Sequence, residues 1–331
     1  MEAIKHITVS VIIPTYNRKE ELEKLLRSLN KQTLSPSSYE IIVIDDGSED
    51  GTGEWLLEQK EQCAVSLSCY TQVRGGPGTA RNTGMEKAVG EIFAFTDTDC
   101  IVQPEWLEHL IEPFSAEQVG AVGGSEIIND HDPLLMRCFH YLMTAPLATG
   151  GLRGKKGKRL AHFYPRTFNM AISRKAYQVT GGFKKMFHAE DIELSYRIKQ
   201  AGFALTYQGS AQVYHRRRST VTQFVQQLFH MGKARVTLAR LHPSSLEPLH
   251  ILPALALALS LLLAFLAACW HPALSLFLAY LVLGLLFLVI LGITSTMKLR
   301  SLKAFFLIPL LFILQQSAYG LGFFTSLLRR T

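Results

Sequence analysis

The stretch FAFTDTDCIV places two carboxylates, Asp97 and Asp99, one residue apart at the end of an apolar run. A carboxylate in an apolar interior is costly unless it is paired or bound to a cation. Two of them at i and i+2, where a strand gives way to a loop, can both reach one small ion. Mg2+ and Mn2+ suit hard oxygen ligands, and commonly take one or two carboxylates while phosphate oxygens and water complete the shell. Such an ion neutralises the charge that develops on a departing diphosphate. As a bare pattern, Asp-x-Asp is common by chance; its position directly after IFAF gives it weight.

A second acidic group stands in HAEDIELSYRIKQAGF. Ile192, Leu194 and Ile198 suggest a helix that starts near Glu190 and Asp191. Acids in a first helical turn complement the helix dipole, so capping alone accounts for either residue. The chemical reading makes Asp191 a general base. An inverting displacement at a sugar carbon needs one carboxylate to take the proton of the attacking hydroxyl. A cation beside the leaving diphosphate removes the need for a second acid.

Residues 1–240 alternate strand and helix signals, the pattern of an α/β layered domain. ITVSVIIPTYN is a β-branched run stopped by Pro14. RKEELEKLLRSLNKQ carries Leu22, Leu25, Leu26 and Leu29 at helical spacing, and YEIIVIDDGSEDGT is a second buried strand entering a turn. GTARNTGMEKAVG reads as a helix and EIFAFTDTD as the next strand. In open α/β sheets, ligands bind beyond the carboxyl ends of the strands. Three such ends carry polar residues: Pro14-Thr15-Tyr16, Asp45-Asp46-Gly47-Ser48 and Asp97-Thr98-Asp99. One of these is ordinary turn chemistry; three point to one site.

The remainder has a different composition. No Asp, Glu, Lys or Arg occurs in 251–297 or in 304–328. A bilayer core of ~30 Å takes about 20 apolar residues as helix. The first stretch is long enough for two spans, divided around WHPAL, where Pro272 breaks a helix and Trp270 suits an interface. The second is long enough for one. Basic residues precede the first span and lie between the second and third (Lys298, Arg300, Lys303), whereas the Trp270 loop has none. The positive-inside rule therefore assigns the N-terminal part and the Lys298 loop to the cytoplasm. A third full crossing leaves LLRRT outside, against that rule, so a tilted, kinked or packed third segment is the open alternative. No cleavable signal is read at the N-terminus, where 4–13 is short and polar for that purpose. The five cysteines lack metal spacing and are expected to be reduced in a cytoplasmic domain.

The net charge is +7, and eighteen Lys or Arg against three acids fall between Arg153 and Arg240. That concentration next to apolar spans favours an anionic partner, either a headgroup surface or a phosphorylated substrate. GGLRGKKGKRL, at 150–160, reads as a mobile loop. Basic and aromatic residues do not interleave in the way that nucleic-acid stacking requires, so nucleic acid is not an expected partner. Apart from His271 at the loop, the spans hold no ionisable residue, which argues against a transporter.

In order and spacing, VSVIIPTYNR, IIVIDDGSEDGT, GGPGTARNTG, FTDTDC, FNMAISRKAYQVTGGF and AEDIELSYRIKQAG resemble a family 2 glycosyltransferase with the GT-A fold over roughly residues 8–235. The resemblance implies a Rossmann-like mixed sheet flanked by helices in a cytoplasmic domain over 1–240. A membrane region over 241–331 follows, with about three transmembrane helices near 251–269, 273–293 and 304–327. It implies transfer of a sugar from a UDP- or GDP-linked donor, with Mg2+ or Mn2+, to a lipid-linked or glycolipid acceptor, at a bacterial inner membrane. By the same resemblance Pro14, Tyr16 and Asp46 line the base and ribose pocket, although Asp45 or Asp46 can equally cap the following turn. Arg81 or Asn82 contacts the donor, Asp97 meets the ribose or a metal-bound water, and Asp99 ligates the metal. Asp191 matches the base and Glu190 supports it or meets the acceptor, while 181–183 flank the acceptor side. His215 reaches the metal or the diphosphate, and Arg235 contacts the diphosphate. Processive synthases of the family carry Gln-x-x-Arg-Trp; the stretch 226–230 reads QQLFH and lacks Arg-Trp. This favours transfer of one or a few sugars over an exported-polysaccharide synthase. A non-catalytic scaffold is the remaining alternative, and it would have no use for Asp46, Asp97, Asp99 and Asp191 in register.

Overall fold

The computed structural model describes residues 8–128, 131–149, 163–186, 188–216 and 219–329. The basic stretch 150–160 lies outside the described residues. The chain packs as two compact units, Met1–Asn129 with Gly157–Arg216, and Asp130–Lys156 with Arg217–Thr331. The division expected from the sequence near 240 falls inside the second unit.

Among the described residues, eight strands and six α-helices build the first unit: β1 (Val9–Thr15), α1 (Lys19–Leu29), β2 (Tyr39–Asp45), α2 (Thr52–Gln62), β3 (Ser66–Thr71), α3 (Pro77–Lys87), β4 (Ile92–Phe95), β5 (Cys100–Val102), α4 (Trp106–Ile111), β6 (Val119–Ile127), β7 (Met170–Ser173), α7 (Arg174–Thr180), α8 (Glu190–Gln200) and β8 (Ala204–His215). The intervening α5 (Leu134–Thr144) and α6 (Pro146–Thr149) belong to the second unit. The strands form one sheet in the order β3-β2-β1-β4-β7-β6-β8-β5. Strands β3, β2, β1 and β4 run parallel, while β7 is antiparallel to both β4 and β6. The sheet is mixed.

Successive side chains of a strand face opposite layers, and the core divides accordingly. Val9, Val11 and Ile13 join Leu22, Leu25, Leu29 and Trp106 on one face. Ile12, Phe93 and Phe95 join Ala80, Met85, Leu194 and Ile198 on the other. Burial on both faces explains why β1 and β2 are mostly apolar, and their buried polar residues, Ser10 and Glu40, hydrogen-bond to each other at 2.6 Å. Each fully buried leucine of α1 contributes about 1.5–3 kcal/mol, so four of them fix α1 against the sheet. The winding direction reverses between β1 and β4, which are parallel neighbours. That reversal brings the carboxyl ends of β1 and β4 together and leaves the crevice where α/β sheets take ligands.

The second unit is helical: α5, α6, α9 (Val221–Leu241), α10 (Pro248–Cys269), α11 (His271–Leu299) and α12 (Lys303–Leu328). Among the described residues, α10, α11 and α12 are the three helices long and apolar enough to cross a membrane. They cover the three expected segments. Only 6% of the apolar window of α10 and 11% of that of α11 is buried, against 33% for α12. The first two therefore present their leucines outward, while α12 is partly covered by protein. Its cover is α9: a Cβ at Gly232 would lie 2.1 Å from the Tyr319 carbonyl oxygen, and one at Gly322 2.0 Å from that of Phe229. Only glycine allows the two backbones so close, which is the physical reason α9 groups with the apolar helices. Helix α5 also packs here, where Phe139 stacks on Phe224 at 4.3 Å and Arg137 donates to the Leu299 carbonyl at 2.9 Å.

Candidate active site

The turn between β4 and β5 holds Asp97 and Asp99 and directs them to different partners. Asp97 Oδ1 accepts from Arg81 Nη2 at 2.6 Å. Arg81 also reaches Glu190 Oε1 through Nη1 at 3.4 Å. One guanidinium on α3 thus bridges the strand-end acid to the first residue of α8, which lies 109 residues from Arg81 in sequence. Its side chain is only 3% exposed. Arg81 thus faces two carboxylates, Asp97 and Glu190. Burial pushes the Glu190 carboxyl above its ordinary value, and the neighbouring charge of Asp191 adds to this while Arg81 opposes it.

Asp99 has other company. Strand β5 pairs with β8 so that Cys100 stands opposite His215, and the Arg216 amide donates to the Asp99 carbonyl at 2.9 Å. This register sets His215 Nε2 3.4 Å from Asp99 Oδ1, with Glu126 Oε1 3.5 Å from the other ring nitrogen. Phe168 stacks on the imidazole at 4.6 Å. Arg18 Nη1 takes Asp99 Oδ2 at 3.1 Å. Burial opposes charge on Asp99, but His215 and Arg18 outweigh it and hold the carboxyl below its ordinary range. Burial likewise disfavours the imidazolium, and attraction to Asp99 and Glu126 overrides it, pushing His215 up to about 9.

Asp99, Cys100 and His215 offer ligand atoms within 4.8 Å of one another. Burial drives the Cys100 thiol well above its ordinary value, helped by Asp97 and Asp99. A thiol is in any case a soft donor, poorly matched to a hard ion. The carboxylate remains, and the His215 imidazole joins it only by giving up the proton that Asp99 and Glu126 favour. Asp99 Oδ1 is buried and faces His215 Nε2 at 3.4 Å without a hydrogen bond that meets ordinary geometry among the described residues, so it retains capacity for a cation. Carboxylate oxygen suits Mn2+ or Mg2+, so Asp99 fits the ion expected from the sequence.

The remaining expected residues are placed as follows. Asp191, buried at the start of α8, meets Arg166 Nη1 at 3.4 Å through Oδ2 and takes its neighbour's amide, Ile192 N, through Oδ1 at 2.8 Å. Asp45 Oδ1 accepts from the Ser48 amide and hydroxyl, and so caps the turn after β2. Asp46 accepts from Gln72 Nε2 and from the amides of Gly75 and Gly76, at 2.7–2.8 Å. Asp45 thus shapes its own turn, and Asp46 binds down the loop that leads into α3. Tyr16 follows β1 with the Arg74 guanidinium 4.2 Å above its ring, and Pro14 lies in β1. Arg235 lies on α9, in the second unit.

Four neighbours escaped the sequence reading. Arg18 stood inside the quoted VSVIIPTYNR motif but had no assigned role, and Arg166 and Phe168 precede or open FNMAISR without a charge pattern to mark them. Glu126 lies in β6, and nothing in its local sequence distinguishes it from a solvent-facing strand acid.

Known proteins with similar sequence or structure agree with this architecture. The glycosyltransferase AglE of Haloferax volcanii is 29% identical over 261 residues, covering 78% of this chain and 81% of its own. The pre-mycofactocin glycosyltransferase of Mycobacterium tuberculosis is 26% identical over 255 residues, covering 74% of this chain; the chain spans half of that protein's length. The structure of a mannosyltransferase from Pyrobaculum calidifontis in complex with GDP-Man and Mn2+ superposes with a TM-score of 0.64 at 22% identity, over 91% of this chain and 86% of the other. That likeness shows a common fold. Residues 10–181, just over half the chain, match the model of glycosyl transferase family 2, and the chain belongs to that family as a glycosyltransferase of the GT-A fold.

Proposed function

We propose that this protein is an inverting, metal-dependent transferase that moves a sugar from a UDP- or GDP-linked donor to a lipid-linked acceptor at the cytoplasmic face of a membrane. The observation that carries the reading is the Arg81 bridge. It ties Asp97, beside the candidate metal position, to Glu190, beside the candidate base, within a single guanidinium's span. A divalent ion held by Asp99 and His215 would supply charge neutralisation for the leaving diphosphate.

The chain's own residues do the rest. Asp191 takes the proton of the acceptor hydroxyl, the role in which a positioned base contributes typically about 10²–10⁴-fold. Arg166, at 3.4 Å, holds that carboxylate in place. Tyr16 and the loop tied down by Asp46 form the side on which the nucleotide base is received, with Pro14 behind them. Asp97 meets the ribose edge while Arg81 fixes its other oxygen. Arg18, with a side chain 39% exposed, is free to turn from Asp99 toward the diphosphate.

The outward leucines of α10 and α11 and the basic residues at Lys298, Arg300 and Lys303 support a membrane anchor with its charged loop in the cytoplasm. An enzyme held there by its own helices meets lipid-borne acceptors by lateral diffusion, which is why a lipid-linked acceptor is favoured over a free one. Arg235 keeps its proposed role toward the diphosphate as the part of this reading that rests on sequence alone.

The test is a panel of UDP- and GDP-sugars with the purified full chain, with and without Mn2+ and with polyprenyl phosphate-linked acceptors in detergent. Release of nucleoside diphosphate that requires both Mn2+ and a lipid acceptor is expected. Transfer to a water-soluble acceptor at the same rate would remove the lipid from the proposal, and activity undiminished by EDTA would remove the metal. Long products from a single acceptor would instead establish a polymerising synthase.

A further inference from the structure

Arg81 does more than neutralise two acids. Its Nε is buried and without a hydrogen-bond partner among the described residues, so the guanidinium is turned wholly toward Asp97 and Glu190. The next residue, Asn82, grips Phe183 by a reciprocal pair of bonds, Nδ2 to the Phe183 carbonyl at 2.8 Å and Oδ1 from its amide at 2.7 Å. The fit is close: a Cβ at Gly182 would lie 2.3 Å from Asn82 Oδ1. On the far side Arg197 of α8 donates to the carbonyls of Thr180 and Gly182 and pairs with the fully buried Glu193. Two consecutive residues of α3 therefore fasten the loop 181–183 and the first turn of α8 to the end of β4.

What they fasten is under strain. Ala189, immediately before Glu190, has φ +64°, a left-handed conformation that a residue with a Cβ adopts only when its surroundings impose it. That turn sets the direction from which α8 begins, and hence where the Asp191 carboxylate sits. Glu190 is the residue after it, and Arg81 holds Glu190.

We propose that Arg81 is a positioning residue, which maintains the left-handed turn at Ala189 and so places Asp191, acting through Glu190 rather than by touching the donor. This rests on the assignment of Asp191 as base. A base must come within about 2.6–3.2 Å of the proton that it takes, and a misplacement of about 1 Å can cost 10²-fold. Without Arg81, Asp97 and Glu190 would face each other with no shared cation. The first turn of α8 would then relax away from the strained conformation.

The experiment compares Arg81→Gln, Arg81→Lys and Glu190→Gln in the full chain, singly and with Arg81→Gln and Glu190→Gln combined. Amide hydrogen exchange over 188–196 is read first, because it does not depend on activity. Exchange should quicken by about tenfold or more in Arg81→Gln and in Arg81→Lys, which keeps the charge but loses the two-pronged geometry. Unchanged exchange in either folded variant would overturn the proposal. Should Arg81→Gln fail to fold, Arg81→Lys decides. Release of UDP or GDP from UDP-glucose, UDP-N-acetylglucosamine and GDP-mannose with Mn2+ and membrane lipid extract gives the second readout. There kcat should fall about 10²-fold with the donor KM within about threefold, and the double variant should be no worse than the worse single one. A raised KM with unchanged kcat would make Arg81 a donor contact and sink the idea. A wild-type protein that turns over none of the three sugars would count against the proposed donors, while the exchange data still decide the role of Arg81.

Discussion

Asp97 and Asp99 are one residue apart, yet each belongs to a different cluster of charge. Asp97 is joined by Arg81 to Glu190, and the cation that joins them is almost wholly buried. Asp99 is joined to His215 and Arg18, and there the arginine is more than a third exposed. A buried guanidinium cannot be exchanged without leaving carboxylates stranded, which typically costs about 3–5 kcal/mol. A half-exposed one can leave its partner at about 0.2–1 kcal/mol. The same short turn therefore builds one permanent ion cluster and one whose cation can be replaced. The permanent one suits a framework, and the replaceable one suits a position where metal and diphosphate come and go.

The strongest way to break this comparison is at the framework's far end. Asp191→Asn keeps size and hydrogen bonding to Ile192 while removing the ability to take a proton. Transfer should fall by about 10³-fold, within the range of a positioned base, and calorimetric binding of Mn2+ and nucleotide should stay within about twofold because neither ion cluster is touched. A variant that still transfers sugar at the wild-type rate would take the base role away from Asp191.

Next in size is the replaceable cluster. Asp99→Ala removes the carboxylate that faces His215. Orienting groups behind a metal site commonly cost about 10–100-fold in affinity when lost, so a direct ligand should cost at least as much. Titration with Mn2+, followed by the electron paramagnetic resonance signal of the free ion, should show affinity lowered by about 10² or more. Removing Cys100 as Cys100→Ser should leave it nearly as it was, since a soft thiol is poorly matched to a hard ion. Equal losses from both would mean that the metal position was misread.

How much of this was legible in sequence follows from which contacts are local. The strands and helices were, because β-branched runs and leucine spacing are properties of a dozen neighbouring residues. So were the two acidic pairs and the three apolar helices. The partners of those acids were not. Arg81 lies 109 residues from Glu190, and only the stacking of α3 and α8 against the same face of the sheet brings them together. Asp46 was legible as a strand-end acid, but its bonds to Gly75 and Gly76 depend on where the loop after β3 returns. The grouping of α9 with the apolar helices was hidden for a related reason. The sequence of α9 is only moderately apolar, and it joins the membrane-type helices because two glycines let its backbone touch that of α12.

A smaller effect is expected at Ala189. The left-handed region costs an L-residue about 1–2 kcal/mol, and glycine avoids that at an entropic cost of roughly 0.5–1 kcal/mol. Ala189→Gly should therefore raise stability slightly, by about 0.5 kcal/mol, visible as a small increase in the thermal midpoint. Ala189→Val, with its branched Cβ, should lower it by more. Turnover should drop in both, since glycine lets the first turn of α8 wander and valine forces it elsewhere. A glycine variant that is less stable than the wild type would show that no strain is stored at this turn.

The smallest effect, and the sharpest on the comparison itself, belongs to Arg18. It lies 3.1 Å from Asp99 Oδ2 and competes for the carboxylate that a metal would use. Arg18→Gln frees that oxygen, so Mn2+ alone should bind about 1.4- to fivefold more tightly, the equivalent of the roughly 0.2–1 kcal/mol of an exposed ion pair. In the presence of a nucleoside diphosphate the sign should reverse, because Arg18 released from Asp99 is then the cation that meets the diphosphate, and its loss should weaken UDP or GDP binding. Paired titrations, with Mn2+ alone and with Mn2+ plus nucleotide, read the two signs separately. If both move in the same direction, Arg18 is as fixed as Arg81, and the two clusters differ in exposure but not in what they do.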